Sequence, residues 1–78
     1  MPLYYFDVGD GDALMEDLDG HELPDLAAAY LMARLAAVEA IHDNLRRGVI
    51  ADPRHFRVRD GEGRTVLTMR FVDALRSE

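Results

Sequence analysis

The sequence of 78 residues contains no cysteine, tryptophan, lysine or glutamine. Without cysteine it can form no disulfide, no thiolate nucleophile and no cysteine-bound zinc site. Without lysine it can form no lysine Schiff base and no phosphate-binding P-loop, whose motif requires that residue. No apolar run reaches the roughly 18–20 residues that cross a bilayer, and no positive segment precedes an apolar one at the N-terminus. We therefore expect a soluble, cytoplasmic protein.

The length predicts a single small domain over residues 1–78. Hydrophobic residues make up 49% of the chain and charged residues 31%, which is typical of a folded globular protein. The net charge of −6 is unevenly distributed, because residues 1–33 carry eight acids and no base while all nine arginines follow. This asymmetry either steers a charged partner and favours self-association, or only keeps the surface soluble.

Two β-hairpins are predicted, one at each end of the chain. Residues 3–8 and 13–17 form strands around an Asp-Gly turn, and residues 55–59 and 65–71 form strands around a Gly-rich turn. The pattern Phe6-x-Val8-x-Asp10-Gly11 recurs as Phe56-x-Val58-x-Asp60-Gly61. The first copy lies among acids and the second among arginines. If the hairpins pair in one antiparallel sheet, opposite charges meet across it.

An alanine-rich helix is predicted between the hairpins, over residues 26–47. Asp25 is a suitable N-cap, and Gly48 stands where a helix often ends in a left-handed residue. At 100° per residue, the predicted core face is centred on Leu31. That face includes Ala27, Leu35, Val38 and Leu45, with Tyr30, Ala37 and Ile41 at its margins. Arg34 and His42 interrupt it, either as residues at its edge or as a polar patch or subunit contact.

The predicted fold class is α+β: a four-stranded antiparallel sheet in ββαββ order with one long helix packed on one face. A helix of 22 residues is about 33 Å long, whereas four strands about 4.8 Å apart span roughly 19 Å. The helix therefore overhangs the sheet unless it crosses diagonally. This mismatch, with Leu3 and Tyr5 on the sheet face away from the helix, predicts a homodimer.

No residue pattern predicts an active site, a cofactor or a metal site. The acids between residues 7 and 19 do not follow the spacing of a calcium-binding EF-hand loop, and turn formation accounts for them. His21, His42 and His55 lack the spacing of metal ligands. The hydroxyl candidates Thr65, Thr68 and Ser77 have no histidine near them in sequence. We therefore predict a protein that is not an enzyme, with a small cation-binding or hydrolytic protein as the third alternative.

The surface residues point to protein contacts more than to nucleic acid. Arg57, Arg59, Arg64 and Arg70 form a basic strip in the second hairpin, but the chain is acidic overall, with a pI near 4.9. Ion pairs with the acids of the first hairpin are the simpler interpretation. The predicted interaction surface consists of Leu3, Tyr5, Tyr30, Arg34, His42, Arg57, Arg59 and Arg70.

The chain resembles a family of short, uncharacterised bacterial proteins known only as a domain of unknown function. The matching segments are Tyr4-Tyr5-Phe6-Asp7-Val8, Glu22-Leu23-Pro24-Asp25-Leu26, Phe56-x-Val58-x-Asp60 and Phe71-x-Asp73-Ala74-Leu75. This resemblance implies no activity and no site residues. Strand-turn-strand followed by Leu-Pro and an alanine-rich helix is also similar to HicB-like antitoxin domains, although a second full hairpin follows the helix here.

We therefore expect a small, self-associating protein-interaction or regulatory module with an unidentified protein partner. The alternative that the HicB-like similarity implies is a toxin-neutralising or DNA-linked regulator. We expect no binding to membranes and do not expect binding to nucleic acid.

Overall fold

The computed structural model describes residues 1–49 and 52–75. In chain order, its strands are β1 (Leu3–Asp10), β2 (Ala13–Met15), β3 (His21–Glu22), β4 (His55–Arg59) and β5 (Thr65–Arg70). One long helix, α1 (Leu26–Arg46), precedes β4, and a 3₁₀ helix (Phe71–Leu75) follows β5. The predicted α+β class and the central helix between two hairpins are confirmed. Two predicted features lie partly outside the described residues. They are the connector between α1 and β4, and the final turn, which was predicted to end at residue 76.

The strands form one antiparallel sheet in the order β2-β1-β4-β5, with β3 paired to the start of β1. The four predicted strands are present, and the two-residue strand β3 makes a fifth, which the prediction lacked. Gly11 has a φ of 62° and provides the conformation that the first hairpin turn requires. The register of the second hairpin, which the sequence left open, contains an irregularity between Val58 and Arg59.

α1 begins and ends with the predicted caps. The Asp25 carboxylate accepts a hydrogen bond of 2.9 Å from the Ala28 amide, as an N-cap does. At the other end Gly48, with a φ of 82°, follows the C-cap residue Arg47. In the part of the chain that the structure describes, no helix is both long and apolar enough to be a candidate membrane span.

The helix face that packs on the sheet is not the predicted one. The buried helical residues are Ala29, Ala33, Ala37, Ile41 and Asn44. Leu31, Leu35 and Leu45, which we expected in the core, are each more than half exposed. Of the predicted core face, only its margin at Ala37 and Ile41 is fully buried.

The helix packs with its alanine face, and not with its leucine face, for a steric reason that lies in the residues opposite it. The sheet and the 3₁₀ helix bring large side chains to the interface, with the Phe56 and Phe71 rings 4.6 Å apart and Met69 buried beside them. Alanine methyl groups are small, so the helix backbone can lie close to these rings with the bulk of the interface on one side only. A leucine at the centre of this face would have no room.

Candidate functional site

One stripe of α1, which we call the leucine seam, consists of Leu31, Leu35, Val38, His42 and Leu45, and its three leucines are exposed apolar residues. Its members follow one another at intervals of four, three, four and three residues. Leu31 is 54% exposed, Leu35 58% and Leu45 51%, while Val38 is partly buried because it also packs against the core of its own domain. The central helix thus has two apolar faces, one packed on its own sheet and one open to solvent.

Polar side chains border the leucine seam near its C-terminal end. A shallow depression there is lined by Glu39, His42, Asp43, Leu45 and Arg46. Asp43 is held on this border by two ion pairs, at 3.4 Å from Arg46 and 2.9 Å from Arg47. The predicted site residue His42 is exposed within the seam. The depression lies on the open side of the helix.

Tyr30 and Arg34 lie on the border of α1 that faces the 3₁₀ helix. The Arg34 Nε donates a hydrogen bond of 3.3 Å to the carbonyl of Ala74, which links the two helices. Tyr30 is 39% exposed. Arg34 therefore has a structural contact, as expected for a residue at the edge of a packed face, and it lies beside the seam.

A second cluster lies on the sheet face away from the helix and is centred on Asp7, whose side chain is fully buried. Both oxygens of its carboxylate are occupied. Arg57 donates to Oδ2 at 3.0 and 2.8 Å, and Arg59 donates to Oδ2 at 2.7 Å and to Oδ1 at 3.0 Å. Asp7 is opposite Arg57 in the register of β1 and β4, so the predicted meeting of opposite charges across the sheet is confirmed.

The segment between β2 and β3 covers this face of β1. In this segment the Asp17 amide donates a hydrogen bond of 3.0 Å to Asp7 Oδ1, and the Asp17 carboxylate accepts one of 3.1 Å from the Phe6 amide. The Phe6 amide lies between the part of β1 that pairs with β2 and the part that pairs with β3, so the Asp17 carboxylate replaces a missing strand there. The Tyr5 ring lies beneath Gly20, with the Arg59 guanidinium 5.1 Å from its centroid. This covering leaves Tyr5 only partly exposed, and the face that we expected a dimer to cover is partly covered by the chain itself.

The electrostatics keep both carboxylates of this cluster charged. Burial raises the pKa of Asp7, but the hydrogen bonds from Arg59, from the Asp17 amide and from Arg57 outweigh it and lower that pKa to about 2. For Asp17, burial likewise raises the pKa, and the amides of Phe6, Gly20 and Asp19 lower it further than burial raises it. Both groups are fixed anions, which suits them to hold structure rather than to donate protons.

The predicted basic strip is neutralised by neighbouring acids. Arg57 and Arg59 share Asp7, as described above. Arg64 pairs with Asp60 at 3.1 Å and with Glu62 at 2.7 Å. Arg70 pairs with Asp73 at 3.0 Å. The interpretation of these arginines as ion-paired is confirmed, although Arg64 and Arg70 use acids of their own C-terminal region rather than of the first hairpin.

The eight predicted surface residues therefore do not form one surface. Tyr30, Arg34 and His42 lie on α1. The remaining five belong to the sheet face on the other side: Leu3, Tyr5, Arg57, Arg59 and Arg70. Within that set the structure brings Tyr5, Arg57 and Arg59 together around Asp7, whereas Arg70 pairs separately with Asp73.

The histidines are dispersed. His21 meets the Phe6 ring edge-on at 5.4 Å, and the His55 ring lies over Gly9. Within residues 1–49 and 52–75, no three His, Asp or Glu side chains are placed to hold a metal ion.

Sequence reasoning missed a buried polar network at the end of α1. The Asn44 amide donates to Asp52 at 2.7 Å, and Arg54 donates to the same carboxylate at 2.8 and 2.6 Å. Hydrogen bonds from Arg54 lower the pKa of Asp52 more than burial raises it. The Asp-Pro sequence at residues 52–53 was the available signal, since it favours a turn in which the aspartate bonds to nearby backbone.

Comparison with known proteins gives a family and no activity. Neither a curated protein nor a solved structure was found to match the chain. The family model of a domain of unknown function, DUF6894, matches residues 3–72, and the chain therefore belongs to that family.

Proposed function

We propose that this chain is a non-enzymatic protein-interaction module that self-associates through the leucine seam of α1. The observation that carries the proposal is the exposure of Leu31, Leu35 and Leu45, each more than half open to solvent. Exposed apolar residues that occur singly are normal on a protein surface, whereas contiguous ones mark a contact site.

The spacing of the seam supports a helical partner. A helix that packs on a globular core has a broad apolar face, and α1 already buries such a face through its alanines. The seam is a second, narrower stripe on the same helix. Intervals of four and three residues keep such a stripe in line with a second helix, as in coiled coils.

The remaining polar groups support a role in contact rather than catalysis. The carboxylates of Asp7 and Asp52, which are buried, and of Asp17, which is partly buried, each accept several hydrogen bonds, and their pKa values are lowered. A group that is already saturated and held as an anion is a poor general acid, and a lowered pKa also makes it a weaker general base.

Sedimentation equilibrium of the purified chain, from low to high micromolar concentration, tests this proposal. We expect a reversible rise in mass above the monomer, abolished in Leu35→Glu because that change puts a charge into the seam. Ala36→Glu is the matched control, since it adds the same charge at the next, exposed position on another side of α1. A monomer at all concentrations, or equal behaviour of the two variants, would contradict the proposal.

We propose a regulatory or interaction role in the cytoplasm, with self-association as its first step and a further protein partner still to be identified. The alternative of a toxin-neutralising or DNA-linked regulator stays a prediction from sequence.

A further inference from the structure

We infer that the partner of the leucine seam is a second copy of α1 that runs parallel to the first and in register with it. This inference rests on the proposed function and adds the occupant of the surface, its direction and its register. Three features carry it: the heptad spacing of the seam, the charges on its two borders, and the place of His42.

The seam fits a heptad repeat without interruption. Leu31, Val38 and Leu45 take one core position, and Leu35 and His42 take the other. In heptad notation the first three are d residues and the other two are a residues. In a parallel pair each position meets its own counterpart, so four apolar layers and one histidine layer are formed.

The border residues show the charge complementarity of a parallel pair. Arg34 then occupies a g position, and Glu39, five residues later, occupies the e position of the next heptad. Parallel coiled coils bring g of one helix next to this e of the other. The pairing therefore sets Arg34 against Glu39 of the second copy, twice, by symmetry.

Each of these two residues is suitably placed for the contact. The bond from Arg34 to the Ala74 carbonyl holds this side chain beside the seam. Glu39 is exposed and lines the depression at the other border. Within residues 1–49 and 52–75 it makes no ion pair. A basic residue from the second copy would complete this border.

An antiparallel pair has the opposite electrostatics. When two seams run in opposite directions, a residues face d residues, and the two-fold axis lies near the middle of the seam. Glu39 then lies close to its own counterpart across the axis, and two like charges meet. The charge pattern thus distinguishes the two directions and favours the parallel one.

The buried face of each helix lies away from the seam. Ala33, at the centre of the buried stripe, is two residues from Leu31 and therefore about 160° away around the helix. Two copies joined along their seams carry their sheets on opposite outer sides.

His42 then faces His42 of the second copy, and a polar residue at such a position specifies register at a cost in stability.

Single cysteine variants test direction and register, because the chain has no cysteine of its own. In the parallel pair, Leu31→Cys and His42→Cys each lie opposite themselves, and each variant alone should form a disulfide-linked dimer under mild oxidation. In the antiparallel pair a residues face d residues, so Leu31 lies opposite His42 and about 16 Å along the axis from its own counterpart, far beyond the roughly 7 Å limit for a disulfide. Ala36→Cys, outside the seam, is the control and should remain unlinked.

The outcomes separate this inference from the proposed function. Linkage only in a mixture of Leu31→Cys with His42→Cys would show an antiparallel seam, which overturns the inference and leaves the proposed function intact. A wild-type chain that stays monomeric would overturn both. His42→Cys keeps all three leucines, so it remains a valid test if Leu31→Cys weakens the dimer.

Removal of the Glu39 charge gives an independent measurement. In the parallel pair, Glu39→Gln removes two attractive contacts and should raise the dissociation constant about threefold to fivefold. In an antiparallel pair the same change removes a repulsion and should lower that constant. An unchanged or lower dissociation constant would therefore overturn the parallel arrangement.

Discussion

Replacement of Asp7 by asparagine should destabilise the domain strongly, although no ligand or partner is involved. The side chain is fully buried, and it accepts hydrogen bonds from Arg57, Arg59 and the amide of Asp17. Asparagine has nearly the same shape but carries no charge, and its NH₂ group faces arginine donors. The variant therefore removes the anion on which the outer face of the sheet is organised.

The expected magnitude follows from the pKa of this group. Its fall from 3.8 to about 2 on folding corresponds to about 2 kcal/mol of stability at neutral pH. Asp7→Ala should lower the free energy of unfolding by more, about 3 kcal/mol, because it also leaves two partly buried guanidinium groups without their acceptor. For a domain of this size, which has on the order of 3–5 kcal/mol in total, either loss is severe.

Urea unfolding followed by circular dichroism, at one protein concentration and a series of pH values, measures this effect. The folded pKa lies below the unfolded one, so the contribution of Asp7 is complete above about pH 4 and is lost as the pH falls towards 2. The gap in unfolding free energy between wild type and Asp7→Asn should therefore close over that interval. Asp12→Asn, at an exposed turn residue, is the control and should unfold like wild type. A gap below about 0.5 kcal/mol at neutral pH, within the range of ordinary surface changes, would refute the reasoning.

Two further predictions concern close packing. Ala33→Leu should destabilise the domain by about 1–3 kcal/mol because the alanine stripe has no room for added atoms. Leu31→Ala should change the urea unfolding midpoint of dilute protein little. If Leu31→Ala lowered that midpoint more than Ala33→Leu, the result would contradict the helix orientation. Gly9→Ala should cost about 1–2 kcal/mol, since the new methyl carbon would lie 2.2 Å from the His55 ring. The double variant with His55→Ala should recover most of that loss, and a double variant as unstable as Gly9→Ala would show that the ring is not the obstacle.

The caps, the turns and the strand pattern were predictable because their signals are local. Asp25 and Gly48 act on the amides and carbonyls next to them, and the Asp-Gly turn depends on the backbone of Gly11 alone. The pairing of opposite charges was predictable as well, because the sequence places acids in the first hairpin and arginines in the second, whatever the strand register. Such features need no knowledge of what lies across the core.

The orientation of the helix was not predictable from hydrophobicity alone. That criterion ranks leucine above alanine and therefore assigns the core to Leu31 and Leu35. The actual choice depends on volume, because Phe56 and Phe71 fill the space that a leucine would need. An alanine stripe at intervals of four residues beside a separate leucine heptad was the signal for two apolar faces.

The partners of the candidate site depended on tertiary geometry. Asp7 was identified as part of an acidic segment, but its complete burial follows from the segment between β2 and β3 that folds over it. Asp17 can replace a missing strand only because β2 and β3 stop on either side of Phe6. Nothing local to either residue indicates this contact.

The two apolar faces of α1 explain how so small a domain can expose leucines and still fold. The sheet supplies large aromatic side chains to the alanine face, so the core closes without any contribution from Leu31, Leu35 or Leu45. In the proposed function these leucines contact a second molecule, so their substitution should change association more than folding. The core variant Ala33→Leu and the seam variant Leu35→Glu should consequently have separate effects, the first on the unfolding midpoint and the second on the sedimentation mass. This separation follows only if one helix has an interior face and an intermolecular face at the same time.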